Sequence, residues 1–152
     1  MLRLCPAAPD EPDVAELIQR HFNLMREQSP PESCHVLSAE ALDAEDVRLF
    51  ALRADDRAVA IGALRLMPDS SGELKSMHTA SERRGNGYGR LLLQGLVEEA
   101  RKLGLTNLAL ETGSSKEHEP ARRLYASEGF SACPPFGDYI YDPLSLFMSR
   151  KL

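Results

Sequence analysis

The stretch Arg83-Arg84-Gly85-Asn86-Gly87-Tyr88-Gly89-Arg90 constrains this chain more than any other. It follows a strand-like run, Glu73 to Thr79, and opens a strongly amphipathic helix. Alternating glycines flanked by arginines suit a backbone loop that wraps an anion at a helix N-terminus. Unpaired N–H groups and the helix dipole both favour negative charge there. The segment therefore implies a phosphate or pyrophosphate ligand as well as a strand–loop–helix unit. A plain turn does not need three alternating glycines.

The pattern around this unit predicts the rest of the fold. Val14, Leu17, Ile18, Phe22 and Met25 recur at helical steps, with Asp10 as N-cap and Pro12 in the first turn. Ser29-Pro30-Pro31-Glu32 ends that helix, because a residue before proline is pushed out of the helical region. A short helix at Ala39 to Leu42 follows, capped by Ser38. Val47–Leu52 and Ala58–Leu66 read as strands joined by a hairpin at Arg53 to Arg57. A helix runs from Tyr88 to Leu103 with Gly104 beyond it, then a strand from Thr106 to Glu111. A second helix spans Glu117 to Glu128. Short strands at Met1–Cys5, Phe130–Cys133 and Leu144–Met148 complete the set.

Strand Glu73–Thr79 and strand Thr106–Glu111 are joined by a helix, so they should be parallel with a right-handed crossover. The expected class is α/β: a mixed sheet with helices on both faces, in a single domain over residues 1–152.

Charge and cysteine usage narrow the partners. The formal net charge of -5 argues against a nucleic-acid binder, so Arg83, Arg84 and Arg90 point to a small anionic ligand. The three cysteines Cys5, Cys34 and Cys133 form no CxxC pair and suggest neither a disulfide framework nor a metal site. No apolar run approaches the roughly 20 residues that span a bilayer. A cytoplasmic protein with no membrane partner is expected.

Two better-known glycine loops do not fit. A Walker A loop ends in Gly-Lys-Ser/Thr, whereas this one ends in Gly89-Arg90-Leu91. A dinucleotide-binding loop spaces its glycines as Gly-x-Gly-x-x-Gly, which Gly85, Gly87 and Gly89 do not match.

The spacing Arg84-x-x-Gly87-x-Gly89 resembles that of the GCN5-related N-acetyltransferases (GNAT). A second segment, Ala121-Arg122-Arg123-Leu124-Tyr125-Ala126-Ser127-Glu128-Gly129-Phe130, is similar to the family's Ala-x-x-Leu-Tyr-x-x-x-Gly-Phe. The likeness covers about residues 1–150, and the element order agrees with it. The tail from Phe136 to Met148 and the stretch Gln28 to His35 resemble small bacterial members. Some of those are assigned to small-molecule or indole-acetate-related acetylation.

The resemblance implies a GNAT fold: a mostly antiparallel mixed sheet of six to seven strands, with a splayed parallel pair that binds the cofactor. It implies acetyl-CoA as cosubstrate and no metal. Arg84, Gly85, Asn86, Gly87, Tyr88, Gly89 and Arg90 would face the pyrophosphate, and Met77, His78 and Thr79 the pantetheine. One of the strand N–H groups there would polarise the thioester carbonyl.

Glu73 matches the general base of the histone acetyltransferase branch. An alkyl ammonium has a pKa near about 10.4, so a base must help unmask it. Glu111 competes for that role or anchors substrate. If Glu73, Lys75 and Met77 share one strand face, Lys75 lies beside Glu73. Tyr125 matches the tyrosine that protonates the departing thiolate. His118 stands where many members carry an asparagine against pantetheine. His35, Asp138 and Tyr139 are the acceptor-site candidates, with acidic groups at 32, 138 and 142 suiting a cationic acceptor.

The implied activity is N-acetylation of a primary amine on a small molecule or peptide, by direct attack and without an acyl-enzyme. The alternative is a non-catalytic acyl-CoA-binding module. Relatives leave a homodimer open.

Overall fold

Strand β1 (Leu2–Pro6) leads into helix α1 (Pro12–Gln28), whose N-cap is Glu11 rather than Asp10, with Pro12 as the first helical residue. In this computed structural model, which describes residues 1–152, the Pro-rich stretch after α1 forms a 3-10 turn at Pro31–Ser33. Helix α2 (Ala39–Leu42) is one turn long. Its Ser38 Oγ accepts from the Ala41 N–H at 3.3 Å.

Strands β2 (Val47–Ala54), β3 (Arg57–Met67) and β4 (Ser71–Thr79) form an antiparallel meander. Asp55 and Asp56 both sit at positive φ, the geometry that matches a two-residue hairpin to the strand twist. Helix α3 (Tyr88–Lys102) returns the chain to β5 (Asn107–Gly113). A 3-10 turn at Lys116–His118 delays helix α4 to Glu119–Ser127, with Pro120 in its first turn where no N–H is missed. Strands β6 (Ser131–Ala132) and β7 (Ser145–Lys151) close the sheet, in the order β1-β2-β3-β4-β5-β7-β6. Only β4 and β5 run parallel.

Period-two alternation sends the core to both faces. On one face Leu92, Leu93, Leu96, Val97 and Ala100 of α3 pack on Phe50, Leu52, Leu64, Leu74 and Leu108, with Leu124 and Tyr125 of α4 against the same cluster. On the other, Val14, Leu17 and Ile18 of α1 pack on Leu49, Ala51, Ile61 and Ala63, with Leu42 of α2 beside them. Burying one such side chain stabilises by roughly 1.5–3 kcal/mol, so the two clusters hold the sheet between its helices.

Candidate active site

The site begins where β4 and β5 part. Their pairing covers Ser71–Leu74 against Asn107–Leu110 and then stops, although β4 continues to Thr79 and β5 to Gly113. β5 keeps its other neighbour, pairing with β7 as far as Gly113 and Ser145. β4 therefore offers an unpaired edge beyond Leu74.

A bulge sharpens the split. Ala63 pairs with Lys75 and Ile61 with His78, so two steps on β3 match three on β4. Ser76 absorbs the extra residue at φ 57°. Such an insertion re-aims the side chains after it. Met77 turns to the α3 face and packs against that core. His78 turns towards α1, where its Nδ1 lies 3.3 Å from Nδ1 of His21. Glu73 and Lys75 do share a face, with Nζ 3.4 Å from Oε2. Met77 does not, because the bulge shifts the alternation by one.

Past β4 the chain makes a 3-10 turn at Ser81–Arg83 and enters the glycine loop. Gly85 and Gly87 adopt φ of 85° and 77°, left-handed values that side chains resist, and a Cβ on either would meet no atom within 4 Å. The open space beside this backbone is a cradle into which a ligand can approach. A groove of about 500 Å³ runs along it, lined by His78, Thr79, Arg84, Gly85, Gly87, Tyr88 and Gly89, with His118, Leu124 and Tyr125 on the far wall.

Asn86 and Arg90 stand off this wall. Asn86 donates to the Arg83 carbonyl at 2.9 Å. Arg90 donates to Ser127 Oγ at 2.9 Å and Glu128 Oε2 at 2.5 Å, tying α3 to α4.

A smaller cavity of about 140 Å³ lies next to the groove, in the split itself. Met77, His118 and Tyr125 line both, and Ser76, Glu111 and Gly113 line the cavity. The Tyr125 hydroxyl has one weak contact, Met77 Sδ at 3.9 Å. Burial, with the Glu111 charge added, pushes its pKa up to about 12. Burial likewise raises Glu111 above the usual carboxylate range, against the pull of Ser145, His35 and Lys75. His118 stacks so closely on Gly113 that a Cβ there would fall 2.2 Å from its Nδ1. Its Nδ1 is also 2.9 Å from Ser115 Oγ, and burial lowers its pKa below the usual imidazole value.

A larger chamber, about 980 Å³, lies under the two loops 28–38 and 134–143 and shares His35 and Lys75 with the split cavity. Glu73, Asp138 and Tyr139 line it, together with Glu32, Arg65 and Phe136. Glu73 is only 1% exposed. Its Oε2 accepts from the Tyr139 hydroxyl at 2.6 Å, and Arg65 approaches Oε1 at 3.9 Å. Lys75 Nζ donates to the Tyr139 hydroxyl at 2.9 Å and to the His35 carbonyl at 3.1 Å, joining the two loops. Ser33 adds a second tie, donating to Asp142 at 2.5 Å, and Asp142 also accepts from the Leu144 N–H at 2.9 Å.

All the predicted residues except Asn86 and Arg90 line one of three neighbouring pockets that share lining residues: the loop groove, the split cavity and the loop-covered chamber. Sequence reasoning missed Ser76, because serine carries no signal for a left-handed bulge. It missed the His21–His78 pair and the Arg65 contact, which depend on tertiary register. Lys75 did carry a signal, a charge inside an otherwise buried strand run. No group of three or more His, Cys, Asp or Glu is placed to hold a metal ion. No helix is long and apolar enough to cross a membrane.

The parallel strand pair thus parts beside a glycine-rich helix start, with a half-buried tyrosine at the gap. The sequence model of the Acetyltransferase (GNAT) family matches residues 12–130, and the chain belongs to that family. It is 42% identical over 139 residues to the uncharacterized N-acetyltransferase YsnE of Bacillus subtilis, covering 91% of this chain and 92% of that one. It is 36% identical over 146 residues to the IAA acetyltransferase of Azospirillum brasilense, covering 95% and 94%. Among solved structures, the putative acyl-CoA N-acyltransferase of Klebsiella pneumoniae superposes with a TM-score of 0.80 at 29% identity, covering 100% and 98%. The family draws its acetyl group from acetyl-CoA.

Proposed function

We propose that the chain transfers the acetyl group of acetyl-CoA to a primary amine of a small molecule or peptide by direct attack. The observation that carries this reading is the row of three neighbouring pockets with shared lining residues, from the Arg84–Gly89 cradle, past Tyr125, to the chamber under the two loops. A pyrophosphate takes the loop N–H groups and Arg84, and pantetheine lies along the free edge of β4 at Met77 to Thr79.

The amine nitrogen attacks the thioester carbonyl carbon. A C–N bond forms, the C–S bond breaks, and the proton of Tyr125 goes to the leaving thiolate. A phenol whose pKa is pushed up to about 12 keeps its proton until the thiolate develops. The ammonium proton goes to Glu111 through water. Glu111 suits this better than Glu73 because it lines the cavity shared with Tyr125, and burial brings its basicity nearer to neutral pH. Glu73 already holds Tyr139, Lys75 and Arg65. It serves as a positioning residue for the chamber wall.

His35, Asp138 and Tyr139 shape the acceptor chamber. The relative named IAA acetyltransferase supports a small-molecule acceptor. We place the chain in the cytoplasm, a reducing setting in which free cysteines such as Cys5, Cys34 and Cys133 are ordinary.

A panel of amines assayed for free thiol release from acetyl-CoA tests the reading. Acetyl-CoA should also raise the melting temperature through ligand linkage. No shift at millimolar acetyl-CoA would sink the cosubstrate assignment.

A further inference from the structure

Lys75 is a primary amine inside the site that the reaction above does not use. The other lysines, Lys102, Lys116 and Lys151, are exposed. Lys75 is only 8% exposed, and its side chain lines both the cavity at the strand split and the chamber under the two loops. That is the boundary an acceptor amine has to reach to meet the thioester. Its Nζ lies 3.4 Å from Glu73 Oε2 and donates to the Tyr139 hydroxyl at 2.9 Å and the His35 carbonyl at 3.1 Å. A carboxylate, a phenol and a carbonyl thus hold one nitrogen at the edge of the cavity assigned to the acetyl group.

We propose that Lys75 is an internal acetyl acceptor: with acetyl-CoA bound and no external amine present, the acetyl group passes to Lys75 Nζ. This rests on the acetyltransferase reading above. Two protons leave the ammonium. The first goes to Glu73, the carboxylate beside it, and frees the nitrogen lone pair. The nitrogen attacks the thioester carbonyl carbon, a C–N bond forms and the C–S bond breaks. The departing thiolate takes the Tyr125 proton, and the second nitrogen proton restores the phenol. The flexible four-carbon stem lets Nζ swing from the chamber side of the boundary to the cavity side. It leaves three partners to do so, which makes the step slower than transfer to an amine already in the chamber. The products are a neutral amide beside a neutral acid, so the desolvation cost of a buried ion pair is relieved. The amide keeps one N–H where the ammonium had three, so it no longer ties His35 and Tyr139 together. Self-acetylation therefore loosens the two loops over the acceptor chamber.

The test is incubation of the whole chain with acetyl-CoA alone, read by mass spectrometry of the intact protein and of its peptides. The expected result is an acetyl group on Lys75, gained at a first-order rate that does not change with protein concentration. Acetyl phosphate, a donor that needs no binding site, should label Lys102, Lys116 and Lys151 and spare Lys75. Lys75→Arg should lose the site-directed label, and Tyr125→Phe should slow it by roughly 10²-fold. The main readout is on the wild type, so it does not depend on any variant folding. Binding of acetyl-CoA by calorimetry without acetyl on Lys75 overturns the proposal and leaves the acetyltransferase reading intact. Equal labelling of Lys75 by acetyl phosphate, or a rate that rises with protein concentration, also overturns it, since the transfer would then not occur within the chain's own site. Failure of the wild type to bind acetyl-CoA overturns the underlying reading as well.

Discussion

The Tyr139 hydroxyl donates to Glu73 Oε2 at 2.6 Å while accepting from Lys75 Nζ at 2.9 Å, so one phenol bridges a buried ion pair. It also anchors the late loop, because Tyr139 is the residue by which residues 134–143 reach the floor of β4. Burial and the neighbouring Glu73 charge hold its pKa well above the usual phenol value, so the bridge keeps its proton into alkaline solution. Tyr139→Phe deletes the bridge and leaves two buried charged groups each short of a partner. The expected cost is about 1–3 kcal/mol of stability. Acceptor KM should rise while acetyl-CoA affinity stays unchanged, since the chamber wall and not the loop groove is loosened. Thermal melting and steady-state kinetics on the variant check both.

Glu111 links activity to stability through pH. Its folded-state pKa is raised by burial, so the folded protein holds that proton more tightly than the unfolded chain does. The stability this contributes is fully present below the ordinary carboxyl value and is lost as pH rises through the raised one. Glu111→Gln carries no such penalty. The variant should melt above wild type at neutral pH, with the gap closing as pH falls below the ordinary carboxyl range. If Glu111 is the base, the same variant should lose roughly 10²-fold or more in kcat/KM. Retained activity would return the base assignment to Glu73.

Much of this site was legible in the residues themselves. The glycine loop, the tyrosine of α4 and the acidic strand positions are local patterns, and helix and strand periods placed them on the right elements. The parallel β4–β5 relation also followed, because a strand–helix–strand unit favours a parallel pair. What stayed hidden depends on register. The bulge at Ser76 moves Met77 to the opposite face from Lys75, and a strict two-residue period cannot foresee an inserted residue. Arg90 read as a ligand-facing arginine, yet Glu128 and Ser127 hold it. That pairing depends on α4 lying beside α3, which sequence spacing does not encode. The Tyr139–Glu73 bond joins positions 66 residues apart and needed the tertiary structure.

Tyr125→Phe isolates the proton donor. The hydroxyl makes no strong bond to protein, so its loss should leave folding and acetyl-CoA binding nearly intact. Thiol release with a working acceptor should slow by roughly 10²-fold. An unchanged rate removes Tyr125 from the mechanism.

Far from the site, Arg53 fastens α1 to the β2–β3 hairpin. Its guanidinium donates to Asp13 and Glu11, each at 2.9 Å, and to the Asp56 carbonyl at 3.2 Å. Burial opposes ionisation of Asp13, but the Ala58 N–H and Arg53 outweigh it and hold the carboxyl below its usual value. That contribution is present above the ordinary carboxyl pKa and is lost as pH falls through the depressed one. Arg53→Met should destabilise by about 2 kcal/mol at neutral pH, reading the bonds as charge-assisted and partly exposed. Chemical denaturation should show the difference narrowing in acid, with acetyl-CoA affinity unaffected.

The loop itself makes the sharpest demand on backbone. Gly87 stands in the left-handed region one residue before α3, with open space where a Cβ would point. Gly87→Ala therefore acts in two ways. It strains the turn by about 1 kcal/mol, and it places a methyl group in the cradle that a pyrophosphate would fill. A purely structural turn would suffer only the first effect, so melting temperature would fall and acetyl-CoA affinity would hold. An anion cradle suffers both, and affinity should drop at least tenfold beyond what the lost stability explains. Titration of Gly87→Ala with acetyl-CoA at a temperature where it is fully folded separates the two. Adding inorganic pyrophosphate as competitor to wild type supplies the complement. Competition there, and its loss in the variant, places the anion at Arg84 to Gly89 rather than elsewhere along the groove.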